Sequence, residues 1–93
     1  MMTAIVLLNT QRDKVNTVAG RIAELDGVTE VYSVAGRYDL AAIVRVKDDE
    51  RLADVVTRDI RKIEGIEKSE TLIAFRVYSR HDLERMFSIG FES

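Results

Sequence analysis

The pattern of hydrophobic positions in this 93-residue chain occurs twice along the sequence. Ala4–Val6 recurs 38 positions later as Ala42–Val44. At the same offset, Leu25–Val28 recurs in similar form as Ile63–Ile66. The apolar positions from residue 3 to residue 34 match those from 41 to 72 without a gap. Two copies are too few for a solenoid. The pattern therefore indicates one domain made of two related halves.

Each half predicts a strand, a helix and a second strand. Apolar runs rich in β-branched residues predict the strands, which are Thr3–Asn9, Val28–Val34, Leu40–Lys47 and Ile66–Tyr78. Apolar residues at three- and four-residue spacing predict the helices, through Val15, Val18, Ile22 and Leu25 in the first half and Leu52, Val56, Ile60 and Ile63 in the second. One face of each helix is expected to face the core.

Capping residues agree with these helices. Asn9 or Thr10 in the first half and Asp48 in the second can accept hydrogen bonds from the free N–H groups of a first helical turn. Gly27 and Gly65 follow the apolar positions and are suited to the positive φ at which many helices end. The order of elements is therefore strand, helix, strand, twice.

A tight turn at Ala35–Tyr38 joins the halves, so the second and third strands are expected to be antiparallel neighbours. This order predicts an α+β fold of the ferredoxin-like βαββαβ type, with a four-stranded antiparallel sheet and two helices on one face. The other face is left open by its own chain.

The open face is expected to be apolar, because three strands carry apolar residues at consecutive positions: Ala4–Leu8, Ala41–Val44 and Leu72–Phe75. Large exposed apolar patches usually mark interfaces. Face-to-face dimerisation of the dimeric α/β-barrel type is therefore expected. The alternative is a monomer whose open face remains solvated because it carries enough polar residues, namely Thr3, Ser33, Arg45, Glu70, Thr71 and Arg76.

Composition narrows the function classes. A net charge of -2 lacks the basic excess of a phosphate-contacting surface, so no direct nucleic-acid partner is expected. With no cysteine and a single histidine, His81, we expect no metal site, no cofactor and no catalytic residues. The first apolar run is too short to span a membrane, and a cytoplasmic location fits.

The last residues are separated from the repeat. Residues 1–79 are assigned to the domain and residues 80–93 to a C-terminal extension, in which Ser79–Asp82 can cap a short helix. That extension can cover its own sheet edge or reach a neighbouring chain.

One segment, Ser33–Leu40, is explained by neither half. As a hairpin alone, Gly36 supplies the turn and Asp39 hydrogen-bonds nearby backbone. As a binding site, N–H groups around Gly36 can hold a small carboxylate while Asp39 or Glu70 holds an ammonium group. The second interpretation describes the main-chain end of a free amino acid.

Two motifs of the sequence, Val34–Leu40 and Gly65–Leu72, resemble the effector domain of the Lrp/AsnC, or feast/famine, regulators, which is called the RAM domain. Their distance from each other and the βαββαβ order of elements also agree with that domain. The resemblance covers residues 3 to 78. It implies dimers formed sheet to sheet, further assembly into rings such as an octamer, and a free amino acid as effector. The effector-binding residues that it implies are Gly36, Arg37, Tyr38, Asp39, Ser69, Glu70 and Thr71.

Full-length members of that family carry an N-terminal helix-turn-helix, whereas this sequence begins at the first strand. The chain therefore resembles the stand-alone class, expected to sense an amino acid in the regulation of transcription or amino-acid metabolism, or to co-assemble with full-length Lrp/AsnC regulators. The alternatives are an ACT-like regulatory subunit, a purely structural scaffold and a small dimeric α/β-barrel enzyme. The enzyme is disfavoured because no residues stand in a catalytic arrangement.

Overall fold

A computed structural model describes residues 1–78 and residue 80. Its elements are β1 (Met2–Thr10), α1 (Val15–Ala23), β2 (Val28–Ser33), β3 (Leu40–Val46), α2 (Asp49–Asp54), which continues into a π-helical segment (Val55–Ile60), and β4 (Ile66–Ala74). The predicted βαββαβ order is confirmed.

The four strands form one antiparallel sheet in the order β2-β3-β1-β4. The central strand β1 pairs Ile5 with Ile43 of β3 on one side and with Leu72 of β4 on the other. The strands of the two halves are therefore interleaved, and β1 and β2 of the first half are not neighbours. This is the ferredoxin-like arrangement predicted from the sequence.

The core lies between the sheet and the helices. Alternate residues of β1 and β3 are buried on this side, and α1 contributes Val18 and Ile22. The fully buried strand residues are Ala4, Val6, Leu8, Leu40, Ala42 and Val44. Burying one valine or leucine side chain stabilises the fold by about 1.5–3 kcal/mol, so this layer is a main source of stability.

The opposite side, called the open face below, carries Ile5, Leu7, Ala41, Ile43, Tyr32 and Leu72. Leu72 is 45% exposed and Tyr32 is 49% exposed. Both faces of the sheet are thus apolar, as the consecutive apolar positions predicted. Arg45 lies at the rim of this face, where it contacts Glu30 at 3.9 Å.

The two helices begin differently. Asp48 caps α2, and its Oδ1 accepts a hydrogen bond from Arg51 N at 2.9 Å, as predicted. The prediction of a cap at Asn9 or Thr10 is wrong, because β1 continues through both residues. Lys14 stands at the start of α1 and makes no side-chain cap bond.

The second helix also departs from regular spacing. The π-helical segment shifts the helical phase, so Val55 is fully buried while Val56 is only half-buried. The fourth strand is shorter than predicted and ends at Ala74, which leaves Phe75 97% exposed.

Gly27 and Gly65 end the two helix regions with φ of +95° and +99°. Each packs against the other half of the chain. A Cβ on Gly27 would lie 2.8 Å from Val46 Cγ1, and one on Gly65 would lie 3.0 Å from Val18 Cγ2. The glycines are therefore required both by backbone conformation and by close contact between the halves.

The predicted boundary at residues 79–80 and the short C-terminal helix lie outside the described residues, apart from Arg80. Among the residues that the structure describes, no helix has the length and apolar character needed to cross a membrane.

Candidate functional site

The turn between β2 and β3 is fastened to the end of β1 by Asp39. Its backbone N–H donates to the Leu8 carbonyl at 2.9 Å, and its Oδ2 accepts a hydrogen bond from Thr10 N at 2.9 Å. Its own carbonyl accepts from Val34 N at 3.0 Å, which closes the turn. Asp39 therefore serves to position the turn, as the hairpin interpretation of the sequence predicted.

Tyr38 connects this turn to the last strand. Its hydroxyl donates a hydrogen bond to Glu70 Oε2, across the end of β1. Glu70 lies opposite Leu7, on the open-face side of β4. The hydrogen bond to the Glu70 carboxylate and, to a smaller extent, desolvation raise the pKa of Tyr38 above its usual value of 10.0. Two segments 32 residues apart in sequence are thereby joined into one polar cluster.

Gly36 and Arg37 lie at the tip of the turn and are exposed. Gly36 has φ +138°, and a Cβ built on it would have no heavy atom within 4 Å. The tip is therefore accessible to a ligand or to another chain, and its glycine is not required by crowding.

Ser69 and Thr71 lie on the other side of β4 from Glu70. They are paired with Leu8 and Val6 of β1, whose side chains face the helices. Ser69 lines a cavity of about 200 Å³ between β4 and the π-helical segment, with Arg61 and Lys68 among the other lining residues. The seven residues implied by the resemblance thus extend from the turn at one end of the sheet to the middle of β4, on both of its faces, and do not form a single cluster.

Two cationic residues line this cavity: Lys68 belongs to the Gly65–Leu72 segment of the resemblance, whereas Arg61 was not singled out from the sequence. Arg61 follows directly after the π-helical segment and Lys68 lies on β4. The repeat pattern could not indicate Arg61, because it records apolar positions only. Together with the Gly36 turn, the two cations give this end of the sheet groups that attract a carboxylate, while Glu70 can attract an ammonium group.

A wider groove of about 540 Å³ lies at the opposite end of β3, lined among others by Arg45, Asp48 and Arg51. Two of its charged residues already act within the fold, because Asp48 caps α2 and Arg45 contacts Glu30. Over residues 1–78, no three His, Cys, Asp or Glu side chains are grouped so that they could hold a metal ion. We therefore take the Gly36 end of the sheet as the candidate site.

Comparison with known proteins identifies the family. The family model described as the Lrp/AsnC ligand binding domain matches residues 3–83. An uncharacterised HTH-type transcriptional regulator of Pyrococcus furiosus is 36% identical over 76 residues, which are 78% of this chain and 51% of that protein. The chain thus spans about half the length of the curated relatives that it matches. These relatives are regulators of transcription and not enzymes.

Solved structures agree in fold. The protein TTHA0845 from Thermus thermophilus is 54% identical with a TM-score of 0.81, and the match covers 86% of this chain and 100% of that one. A feast or famine regulatory protein from M. tuberculosis, complexed with L-methionine, is 26% identical with a TM-score of 0.69, and the match covers 86% of this chain and 54% of that one. From the extent of the family match and the shared fold, we conclude that the chain belongs to the Lrp/AsnC family through its ligand-binding domain.

Proposed function

We propose that this chain senses a free amino acid and forms oligomers, acting in the regulation of transcription or of amino-acid metabolism. One observation carries the proposal: the Tyr38–Glu70 hydrogen bond joins the Gly36 turn to the middle of β4 and so connects the two segments that carry the family resemblance. The L-methionine complex of the M. tuberculosis relative supports an amino acid as the class of ligand.

In this proposal the tip of the turn binds the ligand carboxylate through N–H groups around Gly36, aided by Arg37. Glu70 binds the ammonium group, and Tyr38 holds the Glu70 carboxylate in place. Asp39 acts indirectly by fixing the turn to Thr10. Ser69 and Thr71 would contact the side chain of a ligand that reaches around the strand. A μM to mM affinity needs only about 4–8 kcal/mol.

The open face supports dimerisation. Leu72 and Tyr32 are about half-exposed, and they border Ile5, Leu7 and Ile43 on the same side of the sheet. A second copy packed on this face would remove these side chains from water. We further propose rings of such dimers, a cytoplasmic location, and co-assembly with full-length regulators. Failure to co-purify with a co-expressed full-length regulator would contradict that last point.

The proposal is tested by thermal unfolding of the chain with each of the twenty amino acids at millimolar concentration, with mass measured by light scattering. A ligand at one hundred times its Kd adds about 2.7 kcal/mol to the free energy of unfolding. We expect a rise in melting temperature with one or a few amino acids. No rise with any of them, in a stable multimer, would instead favour a structural scaffold.

Gly36→Asp is the matched test of the site, because it places a carboxylate at the proposed position of the ligand carboxylate. The control is Gly36→Asn, which puts a side chain of the same size on the same backbone conformation, φ +138°, without the charge. We expect Gly36→Asp to abolish the ligand-induced rise and Gly36→Asn to retain it. An equal rise in both variants would place the ligand elsewhere, and loss of the multimer in Gly36→Asp would favour the scaffold.

A further inference from the structure

The cavity of about 200 Å³ between β4 and the π-helical segment, called the β4 cavity below, carries more positive than negative charge. Its charged lining residues are Arg61 and Lys68 against Glu67. Two other cavities are balanced. The groove of about 540 Å³ is lined by three cations and three acids, which are Arg45, Lys47 and Arg51 with Asp48, Glu50 and Asp54. A cavity of about 420 Å³ beside the end of α1 is lined by two of each, which are Arg21 and Lys62 with Glu24 and Asp59.

Both cations of the β4 cavity are accessible to a ligand. Among residues 1–78, neither Arg61 nor Lys68 forms an ion pair or a side-chain hydrogen bond. Arg58, on the same helical segment, differs from them because it contacts Asp59 at 3.3 Å and Asp54 at 3.9 Å. Covering a charged group without pairing it is unfavourable. A ligand that enters this cavity is therefore expected to supply negative charge.

Two interruptions of regular structure border the β4 cavity. The π-helical segment contributes Val56 and Ile60 to its lining. On the other side, Glu67 is the extra residue where the register between β4 and β1 shifts. Both kinds of irregularity are frequent at functional sites. Because aliphatic side chains line the cavity together with the two cations, it suits a short aliphatic chain that ends in a negative charge.

Lys68 connects the β4 cavity to the candidate site. Lys68 and Glu70 lie opposite Asn9 and Leu7, on the same side of β4. Residues two positions apart on one strand are separated by about 7 Å, so one small ligand can contact both side chains. In the proposed function, the Gly36 turn and Glu70 bind the carboxylate and the ammonium group of the ligand main chain. The β4 cavity is then left for the ligand side chain.

We propose that the effector is an amino acid with an acidic side chain, aspartate or glutamate, whose side-chain carboxylate is bound by Arg61 and Lys68. The inference rests on the proposed function, which supplies the binding of the main-chain groups. A guanidinium group can bind a carboxylate through two parallel hydrogen bonds. Glutamine has nearly the same shape as glutamate but would leave both cations unpaired, and lysine would be repelled. Charge therefore sets the specificity of the site.

Calorimetric titration of the full chain tests this specificity with two matched pairs of ligands, glutamate with glutamine and aspartate with asparagine. In at least one pair the acid should bind at least about fivefold more tightly than its amide, as two partly exposed ion pairs allow. An amide or any other amino acid that binds as tightly as the better acid would overturn this inference and leave the proposed function standing. Binding of none of the twenty amino acids would overturn both.

A charge reversal tests the assignment of Arg61. Arg61→Glu should weaken binding of the acidic ligand at least about fivefold and strengthen binding of lysine. The matched control is Lys62→Glu, because Lys62 is the next residue and is also exposed, but it lines the cavity beside α1. It should retain the preference for the acid.

Equal loss of binding in Arg61→Glu and Lys62→Glu would reflect net charge alone and would overturn the assignment. Arg61→Gln removes the charge without reversing it, and it replaces Arg61→Glu if that variant does not fold. It should reduce the discrimination between the acid and its amide, and an unchanged ratio of the two affinities would likewise overturn the assignment.

Discussion

The two halves of the chain share a sequence pattern but differ in their helices and final strands. Both end their helix regions at a glycine with positive φ, and each glycine contacts a valine of the other half. Only the second half has a side-chain cap, at Asp48, and a π-helical segment. Features that hold the halves together recur, whereas features that serve one helix do not.

The largest expected effect tests the shared part of the comparison. Ile22→Ala in α1 and Ile60→Ala in the π-helical segment each remove a buried side chain, with exposures of 0% and 2%. Each should lower the free energy of unfolding by about 2–5 kcal/mol. Urea denaturation measures both values. A loss below about 1 kcal/mol in one variant would show that its half contributes little to the core.

The glycine contacts should give the next largest effect. Gly27→Ala should cost about 1–3 kcal/mol, because of its positive φ and the 2.8 Å approach to Val46 Cγ1. Gly65→Ala should cost somewhat less, since its nearest contact would be 3.0 Å. Gly20→Ala is the control, and it should stabilise α1 by about 0.5–1 kcal/mol. Thermal unfolding in the absence of ligand measures all three, and equal effects at Gly27 and Gly20 would contradict the close contact.

The helix starts should differ by a smaller amount. Asp48→Ala removes the hydrogen bond to Arg51 N and should cost about 1 kcal/mol. Lys14→Ala, at the equivalent position of α1, removes no cap bond and should change stability much less. Chemical denaturation of both variants checks the difference, which should vanish if Asp48 does not cap the helix in solution.

The smallest expected effect concerns the hydrogen bond between Tyr38 in the turn and Glu70 in β4. The pKa of Tyr38 is raised above 10.0 mainly by its hydrogen bond to Glu70, so the bond is complete below pH 10 and is lost as pH rises through the raised pKa. Ultraviolet titration of the wild-type chain and Tyr38→Phe, compared by difference, isolates this phenol. Glu70→Gln should lower its pKa. An unchanged titration would show that the bond does not form.

The sequence was sufficient for the order of elements, because apolar spacing and glycine position are set by the core. It was misleading at Asn9 and Thr10, which have the side chains of a helix cap but lie in β1, where pairing continues to Ile66. The π-helical segment left no signal, since Val55 and Val56 are the same residue type and only packing decides which is buried.

Only part of the candidate site could be predicted from the sequence, because local preferences can be recognised there and long-range contacts cannot. A turn residue such as Asp39 has a recognisable local preference, and the hydrogen bond from Val34 N to its carbonyl agrees with it. The Tyr38–Glu70 bond joins residues 32 positions apart and depends on β1 lying between their segments. Arg61 was missed because a surface cation has no periodicity that links it to a cavity.

The interleaved strand order also has a consequence for the chain during its synthesis. At about 5–20 residues per second, β1 leaves the ribosome on the order of seconds before β3 and β4, its only neighbours in the sheet. The β2–β3 hairpin is the one strand pair that is local in sequence, and it can form first. Until β3 and β4 have been synthesised, β1 has no partner strand and its apolar residues remain uncovered in the nascent chain.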